Sequence, residues 1–222
     1  MSTRDIGLIG LGAMGRGIAN SISSSKIVLS IYDLNKKRLN LNSQLPNLNK
    51  ASPEEIITKS DVILFCVPSS KQIDELLEKY HPRNGSTIID LTSSDPRVTA
   101  KRAKILLESR NVYQLDAAMS GGAKGAAAGK LTLMVGGDKN VLQMNMQILS
   151  SFSERIFHIG DAGKGQLMKL FHNAVCHGNF LLLSEICIKG EQHGLDLGQM
   201  IEVFNCSNAR SFISERRFPD HI

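Results

Sequence analysis

The chain has 222 residues, of which 42% are hydrophobic and 21% are charged. This composition is typical of a soluble globular protein, and the length allows one large domain or two modest ones. The net charge of +5 is small, and the basic residues form no long run, so the sequence does not predict nucleic-acid binding. The longest apolar stretch, 175–188, carries His177, Asn179 and Glu185 and predicts a buried helix, not a membrane span.

The four cysteines lack the Cys-x-x-Cys spacing of metal sites and redox motifs. We therefore expect thiols in a reducing compartment, with neither a disulfide framework nor a bound metal. Residues 1–5 lead directly into the first apolar run, so we expect no signal peptide. Together these features predict a cytoplasmic protein.

A glycine-rich segment near the start carries the strongest signal. Gly10, Gly12 and Gly15 form a G-x-G-x-x-G between an apolar run, 6–9, and a helix-like stretch, 18–22. In such a motif the first glycine allows a tight turn, the second lets a pyrophosphate approach, and the third lets helix and strand pack closely. The helix N-terminus then offers N–H groups to the phosphates. The motif predicts a dinucleotide site, and a structural turn without a ligand is the alternative.

A second apolar run, 27–32, ends in Asp33, which lies 21 positions after Gly12. That spacing is typical of a carboxylate that hydrogen-bonds an adenosine ribose. The Asp33 carboxylate accepts a hydrogen bond from a ribose 2′-hydroxyl, and its negative charge repels a 2′-phosphate. Asp33 therefore favours NAD over NADP. The basic residues 36–38 would weaken the preference for NAD over NADP.

The first three quarters of the chain alternate between strand and helix patterns. This alternation predicts an α/β fold with a Rossmann-type, doubly wound parallel sheet. Ser52, Pro53 and Glu55 have the pattern of a helix start with a capping box. The remaining predicted strands are 61–67, 87–91, 112–116, 131–137 and 155–159, and the clearest helices are 71–80 and 96–109.

Past Gly160 the pattern becomes helical. It predicts one long helix at 163–190 and shorter helices at 197–204 and 209–217. We therefore expect two domains, a dinucleotide-binding domain at 1–161 and a partial all-α domain at 162–222.

Two further segments carry candidate active-site groups. Ser120, Gly121 and Gly122 follow a predicted strand, where a hydroxyl and two glycine N–H groups would cradle a carboxylate. A flexible turn is the alternative interpretation. Lys169, with two polar residues at i+3 and i+4, lies on one face of the long helix. A desolvated lysine serves as a general acid or base, whereas most lysines on such faces are surface residues.

At this point the chain resembles the β-hydroxyacid dehydrogenases, which include 3-hydroxyisobutyrate dehydrogenase and, more distantly, 6-phosphogluconate dehydrogenase. The matching motifs follow the family's order and spacing over most of the chain. They are GLIGLGAMGRGIA at 7–19, Val67-Pro68, DLTSSDP at 90–96, DAAMSGGAKGAAAGKLTLMVGG at 116–137 and GKGQLMKLFHN at 163–173.

The resemblance implies a role for each site residue. Lys169 would be catalytic and exchange a proton with the substrate hydroxyl while hydride passes to nicotinamide. The residues expected to bind a small hydroxyacid are Ser120, Gly121, Gly122, Asn173 and His172. The residues expected to bind NAD are Gly10, Gly12, Ala13, Met14, Gly15, Asp33, Val67, Pro68 and Ser93.

The chain departs from the family's pattern at two positions near Lys169. His172 resembles the phosphogluconate enzymes, but Cys176 stands where those enzymes place a glutamate that protonates the product of decarboxylation. We therefore expect oxidation of a hydroxyacid without decarboxylation.

The chain is also shorter than its relatives at the C-terminus. A partner subunit would cover the apolar face of the long helix, which predicts a homodimer or higher oligomer. The alternative function is a non-catalytic dinucleotide-binding remnant.

Overall fold

The computed structural model describes residues 4–42 and 45–217. Within them, eight strands form one sheet in the order β3-β2-β1-β4-β5-β6-β7-β8. The first six strands of that order are arranged as in a Rossmann fold, which confirms the predicted fold class. The strands are β1 Ile6–Ile9, β2 Leu29–Tyr32, β3 Leu48–Lys50, β4 Val62–Phe65, β5 Thr87–Asp90, β6 Tyr113–Ser120, β7 Leu131–Gly136 and β8 Ser153–Gly160.

The helices predicted at 71–80, 96–109, 163–190 and 197–204 begin and end within two residues of those bounds. The helices of the structure are α1 Ala13–Ser24, α2 Lys36–Asn42, α3 Pro53–Lys59, α4 Ser70–Lys79, α5 Pro96–Arg110, α6 Gly122–Ala127, α7 Lys139–Met144, α8 Met146–Ser150, α9 Lys164–Gln192 and α10 Leu197–Asn205. The helix predicted at 209–217 is wrong in extent, because the regular element there is a π-helical turn, Ile213–Arg217. Ser211 and Ser214 exchange hydrogen bonds between their hydroxyls and backbone N–H groups, and this local bonding competes with helix formation.

The sheet is buried on both faces where its central strands run. All four residues of β4 are buried. Val62 and Leu64 belong to one hydrophobic cluster, and Ile63 and Phe65 belong to another. Because successive side chains of a strand point to opposite faces, the two clusters lie on the two sides of the sheet. The continuous apolar sequence therefore marks a strand covered on both sides, as predicted.

Strand β1 is the point at which the strand order reverses, because β2 and β3 lie on one side of it and β4 lies next to it on the other. Strand β1 pairs in parallel with β2 on one side and with β4 on the other. The connections after β1 and β4 leave toward opposite faces of such a sheet, so a crevice opens at the carboxyl ends of these strands. The turn after Ile9 and the loop after Phe65 lie at this point.

One strand pair departs from the predicted parallel sheet, because β6 and β7 are antiparallel. Only residues 121–130 connect them, and α6 within this connection has six residues. Such a helix spans about 9 Å at 1.5 Å per residue. Strand β6 has eight residues, or about 26 Å. The connection is therefore too short to return the chain to the other end of the sheet, and β7 runs back beside β6.

The chain divides into two compact units, Met1–Lys169 and Leu170–Ile222. The second unit has its own cluster of buried residues, which includes Cys187, Met200 and Ile213. Across residues 4–42 and 45–217, none of the helices is both long enough and apolar enough to cross a bilayer. The domain bounds expected from the sequence, 1–161 and 162–222, remain a prediction.

The capping box predicted at α3 is present. The backbone N–H of Glu55 donates to Ser52 Oγ at 3.1 Å, and the backbone N–H of Ser52 donates to Glu55 Oε2 at 2.9 Å. The side chains thus satisfy two donors, one of them an N–H that the first turn of the helix leaves without a backbone partner.

We expect Ser52→Ala to lower the free energy of unfolding by about 1 kcal/mol, because an N–H of α3 loses its acceptor. Urea denaturation measures this change. Thr58→Ala is the matched control, since the exposed Thr58 hydroxyl bonds only within α3 and caps nothing. The control should change the free energy of unfolding by less than about 0.5 kcal/mol. Equal losses in the two variants would contradict the assignment.

Candidate functional site

A cleft of about 1070 Å³ lies at the carboxyl ends of the central strands. Its walls come from the loops after β1, β2, β4 and β5 and from the first residues of α1. All nine residues predicted to bind the cofactor line it: Gly10, Gly12, Ala13, Met14, Gly15, Asp33, Val67, Pro68 and Ser93.

The glycine turn is packed too closely for side chains at two of its three positions. Gly10 has φ of +101°, and a Cβ there would collide with the carbonyl oxygen of Cys66. A Cβ at Gly15 would collide with the carbonyl oxygen of Gly10. At Gly12, by contrast, no described atom outside its chain neighbours and its own helix lies within 4 Å of the position a Cβ would take. The turn therefore packs tightly against the protein and leaves open space on its outer side.

That open space lies at the start of α1. The N-cap of this helix is Gly12, which has no side chain to accept from the N–H groups of the first turn. Such a helix end attracts anions through its free donors and its dipole. The turn thus has the room and the donors that a phosphate group requires.

The Asp33 carboxylate is held at the rim of the cleft. Leu11 N–H donates to its Oδ2 at 2.7 Å, and Asn35 N–H donates to its Oδ1 at 2.7 Å. Arg38, which also lines the cleft, has its Nη1 atom 4.0 Å from Asp33 Oδ2. A carboxylate and a guanidinium therefore lie close together where the sequence predicts binding of the adenosine ribose.

The opposite end of the cleft is built from the loops after β4 and β5. The N–H of Val67 donates to Thr92 Oγ1 at 3.2 Å, and this bond ties the two loops together. Thr92 lines the cleft beside Ser93, although it is not among the predicted site residues.

The residues predicted for substrate binding and catalysis lie elsewhere. Among the described residues, the cleft lining includes none of these six, although Met119, next to Ser120, belongs to it. Gly121 and Gly122 have φ of +119° and +61° at the start of α6. Lys169 is half-buried on α9. His172 and Asn173 follow it at i+3 and i+4, and His172 Nδ1 lies 3.2 Å from Asn173 Oδ1.

Comparisons with known proteins agree along the whole chain. Residues 5–160 match the NAD binding domain of 6-phosphogluconate dehydrogenase, and residues 163–222 match the NAD-binding domain of NADP-dependent 3-hydroxyisobutyrate dehydrogenase. A 2-(hydroxymethyl)glutarate dehydrogenase from Eubacterium barkeri is 30% identical over 98% of this chain and 73% of its own. The chain belongs to the β-hydroxyacid dehydrogenase family.

Two further relatives support this membership. A probable mitochondrial 3-hydroxyisobutyrate dehydrogenase from Dictyostelium discoideum is 30% identical over 96% of this chain and 68% of its own. The structure of Mycobacterium tuberculosis 3-hydroxyisobutyrate dehydrogenase with L-serine has a TM-score of 0.89 at 25% identity, over 98% of this chain and 75% of its own. The chain is thus an NAD(P)-dependent hydroxyacid dehydrogenase by family, and the resemblance stated from its motifs is confirmed.

An acid outside the predicted site residues supports the loop after β5. Asp90, at the end of β5, is fully buried and accepts hydrogen bonds from Thr92 N–H at 2.9 Å and Ser94 Oγ at 3.2 Å. Arg102 Nη2 donates to it at 2.6 Å, and Arg102 Nη1 donates to Asp74 of α4 at 2.8 Å. An acid that ends a buried strand was the signal in the sequence for this network.

Burial raises the pKa values of two groups in this region, Asp90 and Cys66. It raises the pKa of Asp90 to about 6, although Arg102 and the hydrogen bonds oppose the rise. Burial and the nearby charge of Asp90 also raise the pKa of Cys66 to about 12. Cys66 lines the cleft, but as a neutral thiol it is no nucleophile at neutral pH.

A raised pKa in the folded state makes the contribution of Asp90 to stability depend on pH. The pKa of Asp90 in the unfolded chain is near 3.8. The stabilisation that comes from its raised pKa in the folded state is therefore complete below this pH and is lost as the pH rises through about 6. We expect the free energy of unfolding of the wild type to fall relative to Asp90→Asn between about pH 4 and pH 7.5, by roughly 3 kcal/mol at most. Urea denaturation across this range measures the difference, and a constant or growing advantage of the wild type would contradict the expectation.

Proposed function

We propose that this chain is an NAD-dependent dehydrogenase that transfers a hydride between nicotinamide and a small, 3-hydroxyisobutyrate-like β-hydroxyacid. The observation that carries the proposal is the cleft, which all nine residues expected to bind the cofactor line. The names of the relatives support the substrate class, since both 3-hydroxyisobutyrate and the L-serine of the Mycobacterium tuberculosis structure are 3-hydroxyacids.

The residues of the cleft fit a dinucleotide. The open space at Gly12 and the start of α1 would hold the pyrophosphate, and Asp33 would hold the adenosine ribose. Val67, Pro68 and Ser93 would contact the nicotinamide end. When bound, NAD supplies the carbon that accepts the hydride.

The remaining site residues act on the substrate. In this proposal the Ser120 hydroxyl and the N–H groups of Gly121 and Gly122 bind the substrate carboxylate. Lys169 accepts the proton of the substrate hydroxyl in oxidation and returns it in reduction, the role of a general base and acid. Asn173 orients the hydroxyl, with His172 at its side.

We expect Lys169→Ala to lower kcat about 10²- to 10⁴-fold, because the variant lacks its general acid and base. NAD reduction over a panel of 3-hydroxyacids, followed by absorbance, measures this loss. Lys164→Ala is the matched control, since Lys164 is an exposed lysine on the same helix, and its kcat should stay unchanged. Calorimetric titration with NAD should give similar dissociation constants for all three proteins.

Two results of this experiment would oppose the proposal. Turnover that survives in Lys169→Ala would remove the lysine from the chemistry. Cofactor binding without turnover of any 3-hydroxyacid would instead favour the non-catalytic dinucleotide-binding protein.

The preference for NAD rests on the balance between Asp33 and Arg38. The carboxylate accepts from a ribose hydroxyl and repels a phosphate, whereas the guanidinium 4.0 Å away attracts a phosphate. Asp33 is nearly buried and held by two backbone N–H groups, while Arg38 is more than half exposed. Because solvent and salt screen an exposed charge more than a buried one, the Asp33 carboxylate should dominate the preference.

We expect Asp33→Asn to lower the ratio of kcat/KM for NAD to that for NADP about 10- to 100-fold, because asparagine keeps an acceptor for Leu11 but loses the charge. Arg38→Ala should raise the ratio. Steady-state kinetics with both cofactors measure it. Lys37→Ala is the control, because Lys37 is exposed and lies outside the cleft lining. An unchanged ratio in Asp33→Asn would overturn the assignment.

We further propose that the chain works as a homodimer or higher oligomer. Phe171, Val175 and Leu182 of α9 are each more than half exposed, and their spacing of four and seven residues places them on one face of the helix, as is typical of an interface. The four cysteines are free thiols, which supports a reducing, cytoplasmic location.

A further inference from the structure

One side chain joins the first turn of α9 to the cofactor loop after β5. The Gln166 carboxamide accepts from Ser94 N–H through Oε1 at 3.1 Å and donates to the Thr92 carbonyl through Nε2 at 2.5 Å. Gln166 is only 1% exposed. Its two bonds enclose Ser93, the residue between their partners, which lines the cleft.

The backbone of Gln166 is itself fixed. Its N–H donates to Asp116 Oδ2 at 2.8 Å, and Gly163 N–H donates to Asp116 Oδ1 at 2.7 Å. Asp116 is fully buried on β6. At Gly165, a Cβ would collide with the carbonyl oxygen of Met134 on β7. The first turn of α9 is therefore pressed onto the sheet, and the carboxamide extends from a rigid support.

Lys169 stands on this same support. It follows Gln166 by three residues, which is about 4.5 Å along the helix axis. A displacement of the loop at 92–94 relative to this turn would change the distance between Ser93 and Lys169. Because both partners of the carboxamide are backbone atoms, the link fixes the path of the loop whatever rotamers its side chains adopt.

We propose that Gln166 is a positioning residue that sets the Ser93 wall of the cofactor cleft relative to Lys169. The inference rests on the proposed function, because it matters for turnover only if Lys169 acts on a substrate beside the cofactor. A misplacement of about 1 Å between reacting groups costs roughly 100-fold in rate. One buried amide with two backbone partners is sufficient to prevent such a shift.

A buried glutamine that merely stabilises the fold is the competing explanation, and the chain offers a matched control. Asn145, between α7 and α8, is also a buried amide, and its Nδ2 donates to the Val141 carbonyl at 2.7 Å, outside the Asp90 network. Replacing Gln166 by methionine or Asn145 by leucine keeps the approximate volume and removes the hydrogen bonds. Similar losses of stability are expected, but only one of the two variants should misplace the loop.

The experiment compares wild type, Gln166→Met and Asn145→Leu. Gln166→Met should lower kcat roughly 10- to 100-fold, with the dissociation constant for NAD changed less than about threefold. Asn145→Leu should keep the kcat of the wild type. Hydrogen–deuterium exchange without cofactor should rise at residues 92–95 in Gln166→Met only. Gln166→Asn, whose shorter side chain cannot span both partners, should repeat the pattern if the methionine variant fails to fold.

The outcomes separate the two claims. If the wild type turns over hydroxyacids and Gln166→Met and Asn145→Leu both retain its kcat, the positioning role is wrong and the proposed function stands. Unchanged exchange at residues 92–95 in Gln166→Met would overturn the positioning role in the same way. If the wild type binds NAD but turns over no hydroxyacid, the proposed function fails, and the role of Gln166 in turnover fails with it.

Discussion

The close approach of backbone atoms at Gly10 is the contact on which the cleft depends. With φ of +101°, the chain leaves β1 so near the carbonyl of Cys66 that a methyl group would not fit. Gly10 N–H donates to the Tyr32 carbonyl at 2.8 Å, so the turn is joined to β2 as well. Three strands thus fix one turn, and α1 starts where their carboxyl ends meet. Any side chain at Gly10 would push the start of α1 away from the crevice.

Two buried acids fix the elements that carry Ser93 and Lys169. Asp90 accepts hydrogen bonds from the loop after β5 and from Arg102 of helix α5, and Arg102 also bonds to helix α4. Asp116 holds the start of α9 by its backbone N–H groups. Both carboxylates are fully buried, a costly arrangement unless each finds partners. Each acid therefore accepts several hydrogen bonds, and those bonds fix the elements that carry Ser93 and Lys169.

The sequence predicted what depends on local pattern and missed what depends on contacts between distant segments. The G-x-G-x-x-G, the buried run at β4 and the capping box at Ser52 are local, and each has its predicted structure. The antiparallel β7 was missed, because α6 is short and lies in a glycine- and alanine-rich stretch without periodicity. Gln166 was also missed. Its partners lie 72 and 74 positions away in the chain, so its neighbours in sequence give no sign of them.

Asp90 and Asp116 are neighbours on adjacent strands, and the charge of Asp116 raises the pKa of Asp90. Two such acids are compatible because their charges are compensated by different means. A guanidinium pairs with Asp90 at 2.6 Å, whereas the N-terminal N–H groups and dipole of α9 stabilise Asp116. Since neither acid competes for the other's partner, Asp90 holds the loop with Ser93 while Asp116 holds the start of the helix with Lys169. The Gln166 carboxamide spans the two, and because it is uncharged it leaves this electrostatic balance unchanged.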